Sequence, residues 1–304
     1  MTMIRFAILL TLFLLGMEIP SSAQRPEVGT STAVWGAIPA VEELQQARTD
    51  GIPWVEVAVN QCYRGVPEEE QLPRMLRMKE RLDSAGMQVW SVHLPFSRTL
   101  DISVADDSLR AANVAVQAQM IRWSCELYAP QRLVLHPSSE PIADSLRERR
   151  LENAVASIRT LKAVADACGV ELCIENLPRT CLGNTPEELV RIVDAVPGVG
   201  ICFDTNHYVQ GTVAHFIETA GRRIRTVHIS DYDFVNECHW LPYEGRIDWG
   251  AFLVGLREKA RYDGVLMHEV KKLRRDGSRT TTRDIAAGFE RMCEDYNELN
   301  QTRP

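Results

Sequence analysis

The feature that most narrows the fold of this chain is a rhythm of eight short apolar runs alternating with eight longer helical stretches. The strand-like runs are Ala33–Gly36, Trp54–Val59, Gln88–His93, Arg132–His136, Glu171–Glu175, Gly200–Phe203, Arg225–Ile229 and Gly264–His268. The helical stretches are Ala40–Thr49, Glu68–Ala85, Val104–Leu127, Leu146–Ala167, Pro186–Val196, Val213–Gly221, Trp249–Lys259 and Thr282–Asp295. Val-, Ile- and Leu-rich runs joined by amphipathic helices indicate parallel strands covered on both faces. Eight such units predict an α/β fold, a single (β/α)8 TIM barrel over residues 24–304, with no strand edge left open. A doubly wound sheet would more often stop at five or six strands and want a glycine-rich first loop; no GxGxxG or Walker A pattern is present. Helix punctuation agrees: Thr185-Pro186-Glu187-Glu188 is a cap, a first-turn proline and first-turn acids, and Gly86, Gly169 and Gly221 stand where helices must turn toward strands.

The first residues follow another logic. Arg5 precedes an apolar run, Phe6–Met17, and Ser21-Ser22-Ala23 supplies small residues for cleavage before Gln24. Residues 1–23 are therefore read as a secretory signal peptide, with export to the periplasm or medium; the run is too short for a membrane span. No stable membrane insertion is expected after cleavage. The net charge of −7 disfavours a nucleic-acid partner, whose enzymes normally carry a positive footprint. The two basic runs, Arg147/Arg149/Arg150 and Lys271/Lys272/Arg274/Arg275, read as solvated faces. Eight cysteines in an oxidising compartment permit disulfides; Cys173 and Cys202 fall in apolar strands as packing residues, and Cys62–Cys181 or Cys181–Cys238 are conceivable pairs. A homo-oligomer is left open.

The chemistry-bearing residues fall at one end of successive strands. His93 ends the third strand, His136 the fourth, Glu175 the fifth and Asp204 the sixth, with His207 just beyond; His228 ends the seventh and Glu269 follows the eighth. In a closed barrel these ends ring one mouth, where barrel active sites lie. A lone strand-end histidine is more often structural, and a lone carboxylate such as Asp204 often caps the next turn. Six consecutive strands ending in acids and histidines is a different matter, because buried charges need pairing or a metal. Glu175, Asp204, His228 and Glu269 offer three carboxylates and one imidazole, a set suited to divalent Mn, Co, Mg or Zn. In the loop after strand seven, Glu237 and His239 are two apart and point the same way if extended. With His207 they would hold a further metal; alternatively Asp231 and His239 bind substrate hydroxyls or orient ligands, or the loop is simply exposed. Trp240 and Trp249 either flank a sugar ring or pack the barrel.

Ile174-Glu175-Asn176, Phe203-Asp204-Thr205-Asn206-His207, His228-Ile229-Ser230-Asp231, the late Glu269, and a loop matching H-x-x-P-x-E-G-x-I-D-W from His239 to Trp249 together resemble the xylose-isomerase-like (AP endonuclease family 2) TIM barrel superfamily, in its sugar phosphate isomerase/epimerase branch. The resemblance implies a divalent-metal-dependent isomerase or epimerase acting on a sugar, keto-sugar or sugar derivative through an enediolate. It implies Glu175, Asp204, His228 and Glu269 as metal ligands and Glu175 and Glu269 as the proton-transfer pair. His93, His136, His207, Asp231 and His239 are then substrate-side residues. The endonuclease IV branch adds metal ligands at positions matching His93, His136, His207, Glu237 and His239, with Glu237 in place of that branch's aspartate. It implies the alternative of a metal-dependent hydrolase or lyase, including a multimetal phosphodiesterase. The arginine that ketose 3-epimerases carry shortly after the strand-seven histidine is not evident; Phe234 lies in that region. No basic signature for a phosphate is placed at the mouth.

Overall fold

A computed structural model describes residues 25–301; the signal-peptide reading of residues 1–23 lies outside them. Eight parallel strands close a barrel in sequence order: β1 (Glu27–Ser31), β2 (Trp54–Ala58), β3 (Gln88–His93), β4 (Arg132–Leu135), β5 (Glu171–Glu175), β6 (Gly200–Asp204), β7 (Ile224–Ile229) and β8 (Val265–His268), with β8 pairing back onto β1. The helices are α1 (Val41–Thr49), α2 (Asn60–Tyr63), α3 (Glu68–Ala85), α4 (Asp107–Tyr128), α5 (Arg147–Ala167), α6 (Pro186–Asp194), α7 (Val213–Ala220), α8 (Trp249–Glu258) and α9 (Thr282–Gln301). None of them is long and apolar enough to cross a membrane.

The (β/α)8 TIM barrel expected from the rhythm is the observed fold, with one displaced element. The first strand is Glu27–Ser31, and most of Ala33–Gly36, read as strand from its apolar content, lies in a 3-10 turn, Thr32–Trp35. Ser31 caps that turn through its side chain and Gly36 ends it at φ 75°. The Thr185 hydroxyl accepts the Glu188 amide at the start of α6, and Gly86 ends α3 at φ 66°.

The main core lies between sheet and helices, with Phe203 stacked on Phe216 of α7 at 4.0 Å between ring centres. The barrel interior is layered. Alternation along a strand puts Cys173 on the side of Glu175, Cys202 on that of Asp204, Thr226 on that of His228 and Met267 on that of Glu269. At the lower end Glu171 sits between Arg132 (3.0 Å) and Arg225 (2.8 Å). Above it Trp90, Val265 and Met267 form one small apolar cluster and Val134, Cys173 and Cys202 another. Cys173 and Cys202 are thus the packing residues expected of them. This dry plug carries the carboxylates and imidazoles of the next layer, at the mouth.

Candidate metal centre and active site

Glu175 occupies the middle of the mouth and is fully buried. Its Oε2 lies 3.0 Å from Nε2 of His93 and 3.0 Å from Nε2 of His136. Its Oε1 lies 3.1 Å from Nδ1 of His228 and 3.3 Å from Nδ1 of His207. Burial alone would favour its neutral form; His228 and His136 outweigh that and hold its carboxyl well below the usual range. The neighbouring imidazoles divide. Burial opposes the charge on His93, but the bond to Glu175 and the surrounding carboxylates lift it to about 9. His136 is pushed down, because there burial outweighs Glu175.

Asp204 and Asn176 tie two strand ends together: the Asn176 side-chain amide donates to the Asp204 carbonyl (2.9 Å) and its oxygen accepts the Asp204 amide (2.7 Å). Asp204 Oδ1 accepts the Asn206 amide at 2.6 Å, while buried Oδ2 accepts no hydrogen bond and has Nδ1 of His207 at 3.4 Å. Burial raises this carboxyl to about 6. Oδ2 lies 3.9 Å from Nδ1 of His228, and Glu269 Oε2 lies 3.2 Å from that same nitrogen. Glu175, Asp204, His228 and Glu269 each direct one donor atom into a cluster whose members are all within 4.8 Å of one another. Three carboxylate oxygens and a ring nitrogen, with one oxygen accepting no hydrogen bond, fit a hard divalent cation.

Sequence reasoning missed Glu56. This fully buried β2 carboxylate lies 2.9 Å from Nε2 of His228 and accepts the Ser91 hydroxyl at 2.8 Å. It turns Nδ1 of His228 toward the carboxylate cluster, the role of the outer partner that orients a metal-ligating imidazole. The signal was legible: an acid inside the apolar run Trp54–Val59, on the strand side that faces the barrel interior.

The loop after β7 completes the mouth. Glu237 Oε1 lies 3.7 Å from Nε2 of His207 and 3.6 Å from Nε2 of His239, so these three converge. Glu237 also pairs with Arg179. His239 and Arg179 both hold left-handed backbone, φ 50° and 57°, a conformation non-glycine residues adopt only where surroundings enforce it. The β7 loop itself is gathered around Asp231. This residue is fully buried; Oδ1 accepts the amides of Tyr232, Arg246 and Ile247, and Oδ2 accepts the Tyr243 amide and Trp249 Nε1–H, at 2.8–3.1 Å. The expectation that Asp231 touches substrate is corrected: its carboxylate is spent on the loop. A Cβ on Gly245 would stand 2.3 Å from Asp231 Oδ1, which is why the H-x-x-P-x-E-G-x-I-D-W loop needs glycine there. Trp249 is buried packing rather than a sugar platform.

The mouth opens into a cavity of about 850 Å³ whose lining includes Phe96, Arg98, His136, Glu140, Arg179 and Glu237. Phe96 stacks on His136 with ring centres 4.2 Å apart. Arg64, Arg98 and Arg179 are in this lining, basic residues that residue order did not place at the mouth. His93, His136, His207 and His239 all line it; Asp231 does not.

A family model described as xylose isomerase-like TIM barrel matches residues 44–293. D-psicose 3-epimerase of Ruminiclostridium cellulolyticum is 35% identical over 105 residues, 32% of this chain and 34% of that protein. The match thus spans about a third of that relative's length. Among solved structures, a D-tagatose 3-epimerase-like protein superposes with TM-score 0.71 at 23% identity, covering 90% of this chain and 98% of the other. L-ribulose 3-epimerase superposes with TM-score 0.71 at 18% identity, covering 92% and 100%. The strand order, the ring of acids and imidazoles at the mouth, and the matched span agree: the chain belongs to the xylose isomerase-like TIM barrel family.

Proposed function

We propose that the chain is a divalent-metal-dependent isomerase or epimerase of a sugar, keto-sugar or sugar derivative, working by proton transfer beside a carbonyl. The observation that carries this reading is the convergence of Glu175, Asp204, His228 and Glu269 around Oδ2 of Asp204, which accepts no hydrogen bond. Those four would hold Mn, Co, Mg or Zn. The bound ion supplies Lewis acidity, acidifying the C–H beside a substrate carbonyl. Glu175 and Glu269 approach the same point from β5 and β8, and in this reading one removes the substrate proton and the other returns it. His93 and His136 fix both protons and geometry at Glu175, and His207 and His239 face substrate hydroxyls from the loop side. The sugar epimerases among the similar proteins support this class of reaction. The N-terminal pattern supports export of the enzyme.

The test is deuterium wash-in from heavy water over a panel of neutral and acidic keto-sugars, with each of Mn²⁺, Co²⁺, Mg²⁺ and Zn²⁺. Exchange at the carbon beside the carbonyl is expected in at least one pairing, and its loss in Glu175→Gln and Glu269→Gln. No exchange and no turnover across the panel counts against the proposal.

One observation favours a second reading. The group His93, His136 and Glu175 and the group Asp204, His207 and His239 are each spaced to hold an ion of their own, and Glu237 stands beside the second. A multimetal hydrolase or lyase would use them, and metal stoichiometry on protein purified without added metal separates the two: one ion per chain for the isomerase, two or three for the alternative.

A further inference from the structure

All eight cysteines are free thiols, and the pairs that sequence made conceivable are not formed. Cys62, Cys181 and Cys238 are each buried. Cys173 and Cys202 are fully buried in the closed barrel interior. Only Cys125 and Cys168 are partly exposed rather than buried. Their thiols are also neighbours that interact with each other.

Their placement follows from the fold. Cys125 is in the last turn of α4 and Cys168 closes α5. The two helices pack against each other around the barrel and run in the same direction. They deliver the chain into β4 and β5, which are paired from Arg132↔Glu171 onward. The two thiols therefore sit at one level, in the groove between neighbouring helices, on the end of the barrel opposite the mouth.

We infer that Cys125 and Cys168 form a disulfide that staples α4 to α5, made by exchange with a small-molecule or protein disulfide. One thiolate attacks the external disulfide, forming a mixed disulfide and releasing one thiol; the second cysteine attacks the mixed disulfide, forming the Cys125–Cys168 bond and releasing the other. Two protein thiols are oxidised, one external disulfide is reduced to two thiols, and the two protons leave with them. Neighbouring thiols on two packed helices are placed so that side-chain rotation can bring the sulfurs together. Burial, with the neighbouring Cys168, pushes the Cys125 thiol up to about 12, so closure by small disulfides is slow at neutral pH and faster at alkaline pH. The closed loop contains β4 and the helix leading to β5, the strands that carry His136 and Glu175. The staple acts on stability and leaves the mouth untouched.

The experiment uses the full chain incubated in a glutathione redox buffer at pH 8.5, alkylated without reduction, digested and mapped by mass spectrometry. The expected product is one linked peptide pair containing Cys125 and Cys168, two hydrogens lighter than the two thiol peptides. The other six cysteines should take label only after unfolding. The oxidised protein should melt about 5 °C above the reduced protein, and this difference should vanish in C125S/C168S. Alkyl label on both Cys125 and Cys168 after oxidation, or a linkage through another cysteine, overturns the inference. The peptide map of the unmodified sequence decides the matter even where the double variant folds poorly. Because the oxidant is supplied in the tube, failure would not bear on export or on the proposed reaction.

Discussion

Nε2 of His228 lies 2.9 Å from Oε2 of Glu56, while Nδ1 of the same ring lies 3.1 Å from Glu175 and 3.2 Å from Glu269. One imidazole thus joins a buried carboxylate on β2 to the carboxylates of β5 and β8. The ring is held from behind with its other nitrogen aimed into the site. Glu56→Gln keeps the size of the side chain and an oxygen able to accept the Nε2 proton, but removes the charge that makes His228 a strong donor. Affinity for Mn²⁺ or Co²⁺ should fall by roughly 10–100-fold with the fold retained. Titration calorimetry against circular dichroism checks this, and unchanged metal affinity would remove Glu56 from the site.

Asp204 has the opposite problem: its carboxylate is buried and one of its oxygens accepts no hydrogen bond. Holding it ionised above its raised value of about 6 costs on the order of 3 kcal/mol when no cation is bound. Asp204→Asn should therefore raise the melting temperature of metal-stripped protein at pH 7.5. It should also abolish the further rise that Mn²⁺ gives the unmodified chain. A stripped variant that melts lower would place Asp204 in a stabilising network instead.

Metal removal should also leave a distinctive pH dependence. His93 is raised to about 9 in the folded chain against an ordinary value near 6.5. Its stabilisation is fully present below the ordinary value and is lost as pH rises through about 9. Asp204, raised to about 6, loses stability in the same direction at lower pH. Glu175 and Glu269 are held below their ordinary range, so their contribution is lost as pH falls through those lowered values. Stripped protein should then melt highest in mildly acidic buffer and progressively lower between pH 6.5 and 9. A scan of melting temperature in EDTA reads this directly; a rise across that window would contradict it.

Much of this was legible from residue order. Strands β3 and β5 and helix α3 end where apolar periodicity and Gly86 place them, because their boundaries are set by local chemistry. The cluster of carboxylates and imidazoles was legible because a barrel maps strand ends onto one ring, so spacing along the chain converts into proximity. The first strand was misplaced because Val34 and Trp35 are apolar for a different reason: they pack a 3-10 turn onto the core. Glu56 was missed because an acid inside a strand was not weighed with acids at strand ends. Asp231 was misassigned because nothing in a sequence says whether a loop carboxylate faces the cavity or its own backbone amides; that depends on loop closure. The arginine rim has the same origin, since Arg64, Arg98 and Arg179 come from three separate loops.

Asp231 gives the last test, because its two assignments predict opposite outcomes. Five donors converge on its two oxygens, three on Oδ1 and two on Oδ2. In Asp231→Asn one of those oxygens becomes an amide that faces donors with donors. At least two bonds to a charged acceptor are lost inside the fold, at a cost of roughly 3 kcal/mol or more. The left-handed backbone at Tyr243 then loses the acceptor that holds its amide. The variant should melt several degrees lower with or without metal, and protease should cut first between Asp233 and Gly245. A substrate-binding Asp231 would instead leave melting and proteolysis unchanged and raise KM alone.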